Sequence, residues 1–163
     1  MIEMLKIFLI LVLILIIGFV LVIIKKQKQR KALLLLQKES QKITNQAFNF
    51  AIQHIDEIKL DDSTKVGSEF VSNVWGNRVT AFEYSIDVPG IETTELNLIK
   101  NELQQQLDIY AKSHQLKQYE QHPVFVVSDI WIFANVLHID VSHITNQVTW
   151  AYIQDIEKSD RTK

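Results

Sequence analysis

The most tightly spaced polar group that includes the chain's histidines is His138, Asp140 and His143. An H-x-D-x-x-H group has the residue types that ligate zinc, which takes imidazole nitrogen and carboxylate oxygen in a tetrahedral set. The segment around it alternates as a strand, with Leu137, Ile139 and Val141 inward against His138, Asp140 and Ser142 outward. Side chains on a strand repeat with a period of two. His138 and Asp140 therefore share a face and His143 takes the other, so the three converge only if the strand is bulged or bent. The sequence is read as holding no metal site and no cofactor. His54 falls on a helical stripe, and His114 and His122 fall in polar loops. The acidic pair Asp61-Asp62 lacks the D-x-D-x-D-G spacing of a calcium loop. Four scattered glycines make no phosphate cradle, and no G-x-S-x-G nucleophile elbow occurs. With no cysteine there is no thiolate ligand, cysteine nucleophile or disulfide. No catalytic residue is assigned, and the pattern favours a non-enzymatic role.

The aromatic residues Trp75, Phe82, Tyr84, Trp131, Phe133, Trp150 and Tyr152 fall on expected strands. Most should be core. Trp75, Trp131 and Trp150 are the candidates for a docking patch, if one sheet face is left uncovered.

The elements that must position these residues follow from periodicity. Residues 7–24 are an unbroken apolar run, read as a membrane-spanning helix bounded by Ile7 and Ile24 with Gly18 inside it. No small-residue cleavage site follows, so it is read as an uncleaved signal anchor. Lys25, Lys26, Lys28, Arg30 and Lys31 follow the run and only Lys6 precedes it. Positive flanks stay cytoplasmic and lie near anionic headgroups. The expectation is a cell-membrane protein with residues 1–6 outside and the body inside, the bilayer and another membrane-associated protein being its partners. The alternative is a body on the outer side.

Residues 32–158 are expected to form one α+β domain, followed by a loose tail at 159–163. A helical pattern runs from Ala32 to Ile58 and packs on its own domain. Two alternating segments, 69–75 and 78–88, flank a Gly76-Asn77 hairpin turn. Pro89-Gly90 stops the second strand. A helix capped by Thr93 or Thr94 buries Leu96, Ile99, Leu103, Leu107, Tyr110 and Ala111, with Gln104 to Gln106 mostly wet. Three strands should follow: 124–133, 136–145 and 148–156, joined by turns at Ala134-Asn135 and Asn146-Gln147. The sum is an antiparallel sheet of five strands, in the order α-β-β-α-β-β-β, with the helices on one face.

Charge divides the same way. Of 163 residues with net charge −2, the first 31 hold six basic residues and one acidic, leaving eleven basic against eighteen acidic in the body. An acidic body argues against nucleic acid as a partner. The sequence sets no oligomeric state.

In layout, an apolar N-terminal helix leading to a helix and an antiparallel sheet resembles pilin-like proteins. It also resembles the extracytoplasmic core proteins of conjugation machines. The first likeness implies a processing Gly-Phe ahead of the apolar run and a Glu shortly after it. Here Gly18-Phe19 lies inside the run and Ile23 stands at the Glu position, so no family is assigned. The functional expectation is an interaction or scaffold component at a membrane. Its alternatives are a part of a secretion, competence or conjugation assembly, or a ligand-binding domain with its pocket between the sheet and the helix at 96–111.

Overall fold

The computed structural model describes residues 1–56, 58, 66–71, 78–88 and 90–160, with the side chains at 2, 3, 5, 7–11, 14 and 160 outside the description. The chain divides into two compact units, Met1–Leu36 and Gln37–Lys163. The first is the leading part of a helix, α1 (Ile2–Ile52), that ends in the second unit.

The expectation of a spanning segment is not met. Among the described residues no helix is long and apolar enough to cross a membrane. The signal-anchor reading of Ile7, Gly18 and Ile24, the single-pass cell-membrane localisation and the orientation drawn from Lys25, Lys26, Lys28, Arg30 and Lys31 lose their basis with it. The Ile7 side chain lies outside the described residues. Gly18, Ile24 and the five basic residues are exposed along α1.

The second unit is α+β. Its strands are β1 (Ser68–Phe70), β2 (Ala81–Asp87), β3 (Phe125–Phe133) and β4 (Val136–His143). Its further helices are α2 (Leu96–Ser113) and α3 (Gln147–Asp160). All neighbouring strands are antiparallel, in the order β1-β2-β4-β3. Among the described residues the sheet has four strands rather than five, because residues 148–156 are helical. Val148, Trp150 and Tyr152 satisfy a period of two, but Thr149, Tyr152, Ile153 and Ile156 satisfy three-and-four spacing, and these are the residues turned inward. Asn146, expected in a turn, caps the helix: its Oδ1 accepts the Thr149 backbone N–H at 2.9 Å.

The helices also occupy both faces of the sheet. Residues 47–52 of α1 and the stripe Ile99, Leu103, Leu107, Tyr110 and Ala111 of α2 close over Phe82, Tyr84, Ile86, Leu137, Ile139 and Val141. Tyr84 stacks on Phe48 at 3.7 Å between centroids, and its hydroxyl donates to Asn45 Oδ1 at 2.8 Å. Among the described residues the opposite face is covered at one end only, where Tyr152 and Ile153 of α3 pack with Val79, Ala81 and Ile144. α3 is tied down by Thr149, whose hydroxyl accepts the Thr80 N–H at 3.1 Å, and by Asn146, which donates to the Arg78 carbonyl.

Gln104 is not wet. Its amide donates to the Phe125 carbonyl at 3.0 Å and accepts the Val127 N–H at 2.9 Å. It thereby supplies a ladder pair to the edge strand β3, which would otherwise leave those groups unpaired. The N-terminus of α2 also differs from expectation. A single 3-10 turn at Thr93–Glu95 precedes it, and Glu95 rather than either threonine does the local capping, its carboxylate accepting the Glu92 N–H at 2.9 Å. The hairpin turn at Gly76-Asn77, the loop at Asp61-Asp62 and Trp75 lie outside the described residues.

β3 and β4 join through Ala134 (φ 50°) and Asn135 (φ 65°). Two left-handed residues make the type I′ turn that suits strand twist. Asn tolerates that conformation; alanine pays about 1–2 kcal/mol for it. Ala134→Gly should raise stability by about 0.5–1 kcal/mol in urea unfolding. An unchanged or lower midpoint would mean that the turn does not hold Ala134 in that region.

Candidate functional site

The uncovered end of the second face collects the polar residues of three strands. Along β2 these are Glu83, Ser85 and Asp87, and along β4 they are His138 and Asp140. On β3 the alternation is broken. Val127 pairs with Val141 but Asp129 pairs with Asp140, so Ser128 is an extra residue without an opposite partner. A bulge of this kind reverses the face of every residue beyond it. Without it Asp129 and Trp131 would point into the α1–α2 core. With it Asp129 lies beside Asp140 and Trp131 beside His138, while Ile130 and Ile132 turn inward. The bulge is held from both sides. The Ser128 hydroxyl donates to the Asp140 carbonyl at 3.2 Å, and Lys100 from α2 donates to the Ser128 carbonyl at 3.3 Å.

Two features result. The first is an aromatic patch toward the β3–β4 turn. Trp131 lies flat on His138, with centroids 5.0 Å apart and planes 5° apart. Glu83 fixes the imidazole through Nδ1 at 2.8 Å. Phe133, two residues along the same face, is 71% exposed. The second is a cleft of 470 Å³ between the sheet and α3, with Asp129, Asp140, Asp155 and Tyr152 in its walls beside Val71, Val79, Val148 and Ile156.

Asp140 is the unusual group. It is 7% exposed, and its Oδ1 has no hydrogen-bond partner among the described residues. Burial, with Glu83 and Asp129 on either side adding repulsion, pushes its carboxyl up to about 7. Burial likewise raises the Tyr152 phenol, with Asp140 and Asp129 adding to it.

At His138 the geometry does not assemble a serine–histidine–acid relay. Ser85 Oγ and Glu83 Oε1 both meet His138 at Nδ1, at 3.2 and 2.8 Å. A serine–histidine–acid relay needs the acid on one ring nitrogen and the serine on the other. His143 sits on the opposite face from His138 and Asp140, as its strand parity requires. It is within 2.8 Å of Ser40 Oγ, it tilts against Phe125, and burial lowers its imidazole to about 4. Among the described residues no group of three or more histidines and carboxylates could hold a metal ion. The other histidines have structural contacts: His54 with the Phe50 carbonyl, His114 with the Tyr110 carbonyl and ring, and His122 stacked on Trp150 at 4.0 Å.

Of the three tryptophans expected as docking residues, the structure puts Trp131 on the uncovered face. Trp150 packs on His122 and the second core, and Trp75 lies outside the described residues. The pocket expected between the sheet and α2 is filled by Ile99, Leu103 and Leu107. Asp129 and Asp155 were not singled out by sequence pattern, and Tyr152 was read as an aromatic residue of an expected strand. The one signal was the polar pair Ser128-Asp129 inside an otherwise apolar strand. Comparisons with protein-family models, with curated proteins and with solved structures find no match to this chain.

Asp140 and His143 predict opposite pH effects on stability. Asp140 is harder to ionise folded than unfolded. Below its ordinary 3.8 it costs nothing, and stability is lost as pH rises from there to about 7. His143 is harder to protonate folded, so stability is lost as pH falls from its ordinary 6.5 to about 4. In urea unfolding, Asp140→Asn should gain on the wild type progressively between about pH 4 and about pH 7, by up to a few kcal/mol. His143→Gln should flatten the acid side of the profile. Profiles parallel to the wild type in both variants would contradict this.

Proposed function

We propose that the α+β unit is a non-enzymatic protein-interaction module that docks a partner on the uncovered end of its second sheet face. The observation that carries this reading is the Trp131–His138 stack with Phe133 beside it. Interface centres favour rigid aromatic anchors, and Trp131 is half-buried and held flat by a histidine that Glu83 orients. The surrounding side chains, Glu83, Asp87, Asp129 and Asp140, are acidic. The partner that fits is therefore a segment mixing apolar and basic residues, whose cations meet both the carboxylates and the indole face. The relay geometry at His138 supports a binding role over a hydrolytic one.

A photo-reactive residue in place of Phe133, in the full chain expressed in cells, tests this. One protein should be captured through a segment rich in Lys or Arg, and Trp131→Ala should reduce capture by about thirtyfold, the loss typical of an anchor. The same probe at Gln105, exposed on α2, should not capture it. Equal capture from both positions, or capture indifferent to Trp131→Ala, would end the proposal. Adducts only between copies of this chain would replace it with self-association.

A further inference from the structure

We propose that the cleft between the sheet and α3 is a binding site for an amphipathic organic cation, an alkylammonium or alkylguanidinium, whose charged head meets Asp140, with Asp129 and Asp155 also in the cleft lining. The inference extends the docking reading of the same face. Its basis is an incomplete polar contact. Asp140 Oδ1 is buried at the cleft wall without a hydrogen-bond partner among the described residues, while the residue as a whole is 7% exposed. A buried carboxylate oxygen left unpaired is costly, and a donor entering the cleft would relieve that cost.

The cleft wall selects the kind of donor. Its lining is of two kinds: Asp129 and Asp140 on the sheet and Asp155 on α3 supply carboxylates, and Val71, Val148 and Ile156 supply apolar surface. A bare metal ion fits poorly, since a hard cation takes six or more oxygens and the described carboxylates do not gather as a ligand set. An alkyl chain with a cationic end satisfies both kinds of lining, as the stems of Lys and Arg do when they lie along apolar surface. The volume of 470 Å³ accommodates such a group. An ammonium already reaches this rim: Lys158 Nζ of α3 is 3.7 Å from Asp155 Oδ1, with both side chains exposed.

Binding is expected to compete with protonation. The groups facing Asp140 are Glu83 on β2, Asp129 on β3, and Tyr152 and Asp155 on α3, with His138 two residues away on its own strand. The Asp140 carboxyl is raised to about 7, so cation affinity should rise as pH climbs through that value.

Amide-detected NMR titration of the full chain provides the test, with n-butylammonium, n-butanol, and two short alanine peptides bearing one lysine or one norleucine as probes. The ammonium and the lysine peptide should shift the signals of Asp129, Asp140 and Tyr152, and the alcohol and the norleucine peptide should not. Asp140→Asn should weaken binding about tenfold or more, as loss of a charged hydrogen bond does. Asp155→Asn, on an exposed residue whose change leaves the core intact, should weaken it less. Binding of the lysine peptide without the free amine supports the site with a polypeptide as its source. Equal binding of both supports it with a small amine. Equal shifts from alcohol and ammonium, or affinities unchanged in both variants, would overturn the inference. That failure would leave capture at residue 133 intact, and loss of that capture would leave amine binding intact, so the two proposals fail separately.

Discussion

The uncovered sheet face depends on one backbone irregularity, the extra residue Ser128 in β3. A strand has only two faces, and inserting one residue exchanges them for everything that follows. Before the bulge, Phe125 and Val127 point into the α1–α2 core; after it, Ile130 and Ile132 do. Asp129 and Trp131 are thereby moved out of that core to the second face. The position is stabilised by ordinary forces. Ser128 donates to the Asp140 carbonyl across the pair, Lys100 takes the carbonyl that the bulge frees, and Gln104 completes the ladder just upstream. These contacts hold the break in register at one place, which is how bulges re-aim side chains beside binding sites.

From that shift the chemistry of the face follows. Three acids, Glu83, Asp140 and Asp129, stand on adjacent strands in register, and α3 lowers the polarity around the middle one. Burial and like charge act on Asp140 in the same direction, toward the neutral form. The neighbouring pair, Trp131 on His138, is fixed in orientation by Glu83. A face built this way is rigid, aromatic at one end and acidic at the other. Those are the properties on which the proposed docking of cations and apolar groups rests, and the placement of Ser85 and Glu83 on one imidazole nitrogen is not that of a serine–histidine–acid relay.

Much of this was legible in the sequence. The stripe of α2 and the alternation of β2 and β4 read correctly, because each repeats its period long enough to exclude the other. The parity of His138, Asp140 and His143 was also legible. Residues 148–156 misled because a short apolar segment fits both periods, and Asn146 works equally as a turn residue or a helix cap. The bulge was invisible, since the run 124–133 is apolar on both faces and one inserted residue leaves no periodic trace in it. Asp129 and the Trp131–His138 contact were hidden for that reason. At the N-terminus, hydropathy alone joined residues 7–24 into a span, whereas no helix among the described residues is long and apolar enough for one.

The most direct measurement is the register of β3 against β4 in solution, from NOE contacts between the two strands. The expected contacts are Trp131 with His138 and Asp129 with Asp140, alongside Val127 with Val141. Contacts of Trp131 with Leu137 and of Asp129 with Ile139 would mean an unbroken ladder. That would return both side chains to the core face and contradict the site.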